Sequence, residues 1–139
     1  MQEITLETDR KTQLVDITKQ VQQAAVADAT SANGNGARAA LVYVPHTTAG
    51  VTINEGADPL VGEDIESALQ KVVHEDWHWK HTEDPDGPNA PSHVRATLTG
   101  SQVLIPLRDG QLALGTYQGI YFCEYDGPRV RKVFVTPLS

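Results

Sequence analysis

Histidines, hydroxyls and carboxylates gather in two stretches of this chain. The first, Pro45 to Pro59, reads PHTTAGVTINEGADP and sets His46, Thr47, Thr48, Glu55 and Asp58 between an apolar run, Leu41 to Val44, and a helix start. It is too polar for a core strand and too apolar in its spacing for a surface loop. The second, His74 to His93, holds four of the five histidines together with Trp77, Trp79 and three prolines, and carries too much Pro, Asp and Gly to be regular.

His46 and His93 each stand where an irregular segment meets an apolar strand, a position at which side chains converge on clefts. Three neutral imidazoles from separate segments would make an open metal site of the catalytic kind. A histidine satisfied in the interior is the commoner outcome, and spacing does not choose between them. His74, His78 and His81 are four and three residues apart, which puts them on one face of a helix that reaches so far. For His74 and His78 a polar helix end explains the spacing as well.

Thr47, Thr48 and Gly50 offer hydroxyls and unhindered backbone to phosphate oxygens, although the pattern is not a Walker loop. Glu55 is a candidate general base, support for another ligand, or ligand to a hard cation. Asp58 has a sufficient structural role as the cap of the helix that Pro59 opens. Gln118 lies among glycines and aromatics in Gly115 to Arg129, where an amide either satisfies backbone or faces a ligand. Arg129 is a candidate for two-pronged phosphate recognition or an ion-pair partner of Glu124 or Asp126.

The elements that must position these groups follow from periodicity. Gln2 to Thr8 alternates as a half-buried strand, and Leu14 to Ile17 continues or pairs with it. A short helix follows from Asp16 or Thr18, with Val21, Ala24 and Ala25 on its stripe. The NGNG run within Asp28 to Gly36 is a turn. Ala37 to Val44 and Val51 to Ile53 read as strands, with Gly50 marking a bulge or a close backbone approach. Val61, Ile65, Ala68, Leu69 and Val72 form the buried face of a second helix. From His93 onward the chain reads as all strand: His93 to Leu98, Gln102 to Leu107, Gln111 to Leu114, Tyr117 to Tyr125, and Val130 to Pro137. The expected fold is α+β, a single compact domain over residues 1–139 with a mixed or mainly antiparallel sheet and two helices.

With 139 residues the chain can bury roughly two thirds of its unfolded surface in one core. A net charge of −7 and a basic cluster limited to Arg129, Arg131 and Lys132 exclude a general nucleic-acid binder. No apolar run approaches a membrane span and the N-terminus lacks a secretory pattern, so the expectation is a cytoplasmic protein without a membrane partner. The single cysteine, Cys123, excludes an intrachain disulfide and reads as a buried, inert thiol.

Taken together, HTTAGVTINEGADP, the pair His81 and His93 with NAPSH between them, and LTGSQVLIPLRDGQLALGTYQGIYFCEYDGPR, in that order, resemble the YjbQ-like family, also called secondary thiamine-phosphate synthases. The resemblance spans nearly the whole chain. It implies a compact α+β subunit, a homotrimer, and a cleft near the subunit boundary. His46, His81 and His93 are then the family's histidines, with His74 and His78 outside its pattern. The implied reaction joins a pyrimidine pyrophosphate to a thiazole phosphate and releases pyrophosphate. On that reading the three histidines hold a divalent metal, zinc first, with magnesium brought by a phosphorylated substrate. Thr47, Thr48, Asn89 and Arg129 bind the phosphorylated small molecule, and Glu55, Asp58 and Gln118 serve catalysis. Tyr117 stands where the family more often has Trp, and Gly56 where it often has Asn. The competing readings are a metal-dependent phosphohydrolase and a non-enzymatic trimeric module binding metal or a phosphorylated ligand.

Overall fold

The computed structural model describes residues 1–29, 36–85 and 87–139. Eight strands form two antiparallel sheets: β1 (Gln2–Glu7), β2 (Gln13–Asp16), β3 (Ala39–Tyr43), β4 (Ala49–Glu55), β5 (Gln102–Arg108), β6 (Gln111–Leu112), β7 (Gln118–Glu124) and β8 (Val130–Leu138). The larger sheet runs β1-β8-β3-β5-β6 and the smaller β2-β7-β4. Three helices accompany them: α1 (Thr18–Ala29), α2 (Pro59–Val72) and α3 (Ala90–Thr99). The NGNG turn lies, except for Gly36, outside the described residues.

The core fills the space between the sheets. Val42 of β3, Val51 of β4, Ile105 of β5, Ile120 and Phe122 of β7, and Val133 and Val135 of β8 meet Ile17 and Val21 there, with α1 packed alongside. The period of two along β7 puts Tyr121 and Cys123 on the opposite face, where they meet Leu69 of α2 and Ala96 of α3. Cys123 is buried, and that burial pushes its thiol up to about 12, so it is the inert thiol expected.

Two sequence expectations are corrected here. His93 to Leu98 is helix, which makes three helices where two were expected. Its alternation of Val94, Ala96 and Leu98 suggests a strand, but the buried side of α3 is Ser92, Arg95 and Ala96, a helical spacing that a buried arginine conceals. Arg95, 2% exposed, donates to Glu75 Oε1 (2.9 Å) and to the Val73 carbonyl (2.8 Å), so it packs as core and ties the segment before α3 to the helix. On α2, Val61, Ile65 and Leu69 are only half-buried, and Ala68 and Val72 are exposed.

One buried ion pair fastens the two sheets. Glu124 ends the inward-facing series Ile120, Phe122, Glu124 on β7, and Arg131 begins the series Arg131, Val133, Val135 on β8. Arg131 Nε and Nη2 donate to both Glu124 oxygens, and Arg131 Nη2 also reaches Thr48 Oγ1 at 2.8 Å. Thr8 Oγ1 (2.7 Å) and the amides of Tyr125 (3.1 Å) and Asp126 (3.2 Å) complete the carboxylate's set of donors. Removing one partner of such a pair leaves a charge without compensation in the core, at about 3–5 kcal/mol. Arg131→Met should lower the unfolding free energy by that amount in urea titrations. Adding Glu124→Gln should recover much of the loss. A double variant whose loss equals the sum of the single losses would contradict the pairing.

Candidate functional site

Where β3 leaves the larger sheet, the chain crosses to β4 of the smaller one through residues 44–48. Pro45 cannot donate a ladder hydrogen bond, and beyond Tyr43 the paired edge of β8 is no longer covered by β3. The Lys132 amide on that edge is satisfied by a side chain instead, donating to His46 Nε2 at 2.9 Å. A neutral imidazole has one lone pair, and here it faces an N–H donor. Nε2 is therefore bare, and the proton sits on Nδ1. Burial, and after it the Arg131 guanidinium, holds His46 below its ordinary value, so the ring is neutral at pH 7.

The crossover is pinned at its far end by Gly50. A Cβ there would stand 2.4 Å from the Gly100 carbonyl, which also accepts from the Val51 amide at 3.1 Å. This is the close backbone approach that the glycine suggests in the sequence. It brings the C-terminal end of α3 against β4 and opens a cleft of about 370 Å³ lined by His46, Thr47, His93, Thr97 and Ser101. Thr97 Oγ1 donates back to the His93 carbonyl (3.0 Å), which leaves its lone pairs toward a ligand.

His81 approaches from the loop before α3, its ring edge-on to His93 with centroids 5.1 Å apart. Its orientation is set by a chain of hydrogen bonds. Asn89 Nδ2 donates to Asp126 Oδ2 (2.9 Å), so Asn89 Oδ1 is the atom facing His81 Nε2 at 2.9 Å. Asp126 is in turn held by Arg129, which donates through Nη2 to its carboxylate (2.9 Å) and through Nε to its carbonyl (2.7 Å). Both neighbours of His81 Nε2, Asn89 Oδ1 and the Asp84 carboxylate 3.9 Å away, are acceptors. His81 thus carries a proton on Nε2. His46 offers an N–H to the cleft it shares with His93, and His81 touches His93 from the neighbouring cleft.

The sequence profile of the YjbQ-like family, described as UPF0047 protein YjbQ-like, matches residues 2–139. The chain belongs to the YjbQ/UPF0047 family. A UPF0047 protein of Archaeoglobus fulgidus is 43% identical over 136 residues, covering 98% of this chain and 99% of the relative. Another, from Methanocaldococcus jannaschii, is 40% identical over 130 residues, covering 94% and 88%. Among solved structures, an uncharacterized conserved YjbQ/UPF0047 protein of Clostridium acetobutylicum superposes with a TM-score of 0.89 at 44% identity, over 99% of this chain and 100% of that one. A hypothetical protein from Aeropyrum pernix gives 0.86 at 36% identity, over 99% and 97%.

Within this YjbQ-like chain the expected site divides in two. His46, His81, His93, Asn89, Thr47 and Arg129 belong to one end. Glu55, Asp58 and Gln118 lie at the other end of β4 and β7, about 20 Å away by strand rise from Ala49, which opens β4. There Glu55 accepts from the Ala57 amide (3.2 Å), Asp58 caps α2 through the Leu60 amide (2.9 Å), and Gln118 accepts from the Gly115 amide (2.8 Å). These are turn-forming roles, so within one chain none of the three reaches the histidines. Thr48 is buried, its hydroxyl held by Arg131, so it supports the crossover and does not line the cleft. Asn89 precedes α3 without capping it, its amide spanning His81 and Asp126. Arg129 pairs with Asp126, as one of its sequence readings allows, while Glu124 takes Arg131. α2 ends at Val72, so His74, His78 and His81 share no helix face.

A metal on all three histidines does not fit this arrangement. The lone pair of His46 is engaged by Lys132, which leaves His81 Nδ1 and His93 as the imidazole donors. Among the described residues no group of three or more His, Cys, Asp or Glu side chains is gathered as a cation would need. What sequence reading passed over is the pairing of Glu124 with Arg131, the contact of Asp126 with Asn89, Ser101 and the Lys132 amide. Only Glu124 and Arg131 left a signal, as charges at inward positions of apolar strands.

The protonation of His46 makes a stability prediction. Its folded pKa lies below the ordinary 6.5, so the unfolded chain takes up the proton first as the pH falls. Its contribution is complete above 6.5 and is lost as the pH drops through the depressed folded value. His46→Gln retains an acceptor for the Lys132 amide without the titration. Urea titrations at about pH 7.5 and about pH 5.5 should show the wild type losing more stability than the variant. Equal losses would contradict a neutral, half-buried imidazole.

Proposed function

We propose that the protein is an enzyme that binds a phosphorylated small molecule in the His46–His93 cleft and uses the hydrogen-bond donors there to stabilise a departing anion. The reaction we assign is the secondary thiamine-phosphate synthase type, a transferase joining a pyrimidine pyrophosphate to a thiazole phosphate. The observation that carries the reading is His46, held with its N–H on Nδ1, in one cleft with His93 and the hydroxyls of Thr47 and Ser101. The thiazole nitrogen attacks the methylene carbon of the pyrimidine, the carbon–oxygen bond breaks, and pyrophosphate leaves with the electron pair. The negative charge that develops on the departing oxygen needs fixed donors, and the cleft offers His46 Nδ1–H with the Thr47 and Ser101 hydroxyls. Arg129 acts at one remove, by holding Asp126 and through it Asn89 and His81. Magnesium would arrive with the pyrophosphate; zinc on three histidines is not part of this reading.

An assembly of three copies, expected from the family resemblance, is also proposed. It is supported by an apolar patch on the outward face of the larger sheet. Tyr43 (41% exposed) stacks on Phe134 with centroids 6.5 Å apart, and Leu104 (60% exposed) lies beside Leu41 on the next strand. No helix among the described residues is long and apolar enough to cross a membrane, in keeping with a proposed cytoplasmic enzyme.

Mixing the purified protein with the two phosphorylated substrates should yield thiamine phosphate and an equal amount of pyrophosphate. His93→Ala and His46→Ala should each slow this by about 10²-fold or more. Turnover unaffected by both substitutions would remove the cleft from the chemistry, and no product at any enzyme concentration would remove the reaction. In light scattering the native protein should show about three times its chain mass of 15.1 kDa. Leu104→Lys combined with Tyr43→Lys should reduce it to one. A native monomer would contradict the trimer.

A further inference from the structure

A second cleft, of about 310 Å³, opens in the loop between α2 and α3, lined by Trp77, His78, Trp79, His81, Pro88 and Pro91 among others. Two indole rings line it, where the first cleft has none. The Trp77 and Trp79 rings stand 5.6 Å apart and His74 lies against Trp77 at 5.2 Å, a short run of neighbouring π faces. Trp77 is 52% exposed, a large apolar ring held open to solvent beside a cavity. The rings are not loose. Trp79 Nε1 donates to the His74 carbonyl (3.1 Å) and its amide to the Trp77 carbonyl (2.9 Å). The loop's first residues are fixed in turn by the buried Arg95, through Glu75 and the Val73 carbonyl.

The two clefts share a wall. His93 lines the polar one and His81 the aromatic one, and their rings are in edge contact at 5.1 Å. A ligand with a phosphoryl group at His46 and His93 would therefore project its remaining body past His81 toward the tryptophans. The chemistry there suits a flat, electron-poor or cationic ring, which stacks on indole faces through dispersion and cation–π attraction, with the two prolines closing the sides.

We propose that the Trp77–Trp79 cleft is the subsite for the heteroaromatic ring of a phosphorylated substrate whose phosphoryl end occupies the His46–His93 cleft. This rests on the reading of that cleft as a phosphoryl site. It extends that reading by making the preferred ligand one with a flat ring joined to a phosphate, and by making Trp77 and Trp79 residues that determine specificity.

The chain has two tryptophans, both in this cleft, so fluorescence excited selectively in the indole band, away from its four tyrosines, reports on this subsite alone. Thiamine phosphate, the product of the proposed joining, should quench that fluorescence on titration, whereas inorganic phosphate should bind by calorimetry with little quenching. Trp77→Ala and Trp79→Ala should each weaken thiamine phosphate binding about 10-fold, leave inorganic phosphate binding unchanged, and be rescued in large part by Trp→Phe. His93→Ala should weaken both ligands. Thiamine phosphate affinity unmoved by both tryptophan substitutions, with inorganic phosphate still bound, would overturn the ring subsite and leave the phosphoryl site standing. Failure of both ligands to bind the native protein would overturn both.

Discussion

The Glu124–Arg131 pair is the constraint on which the rest of the structure depends. It joins two sheets that share no strand, at the place where β3 must hand the chain across to β4. Burying two charges is unfavourable unless every lone pair and proton is met, and here the donors come from three parts of the chain: Thr8, Arg131, and the adjacent amides of Tyr125 and Asp126. Meeting those demands fixes what lies next to the pair. Thr48 is held through its hydroxyl and Lys132 follows Arg131, so His46 has a defined donor waiting for it.

The same turn organises the other side of the site. From Glu124 the chain runs through Tyr125 and Asp126 to Arg129, and Asp126 and Arg129 fix Asn89 and with it His81. The two histidines are thus oriented for a common reason. Each is oriented by backbone or side chains within a few residues of one buried ion pair. His93 is placed differently, by α3, whose C-terminal end is pressed onto β4 at the Gly50–Gly100 contact.

Much of this was legible in the sequence. The alternation of β1 and β8, the Asp58-Pro59 start of α2 and the glycine at position 50 all announced their roles by patterns that local chemistry sets. The family was legible from three long motifs in order. α3 was not, because Arg95 faces inward and hides the apolar face that would have marked a helix. The site was half legible. His46 and His93 share a cleft and His81 touches His93, whereas Glu55, Asp58 and Gln118 fall at the far end of β4 and β7. Proximity in sequence to His46 carried no information there, since a strand of seven residues separates its two ends by most of the width of the domain. Tautomers are invisible in sequence altogether. The one assigned to His46 depends on an amide from a residue 86 positions away.

The central claim is that the fold fixes His46 as a neutral hydrogen-bond donor and not as a metal ligand. Long-range proton–nitrogen NMR of the imidazole rings tests it most directly. In the native protein at neutral pH the His46 ring should show a protonated Nδ1 and a bare Nε2, unchanged when zinc is added. A bare Nδ1, a doubly protonated ring, or a His46 signal that moves with stoichiometric zinc would contradict the account.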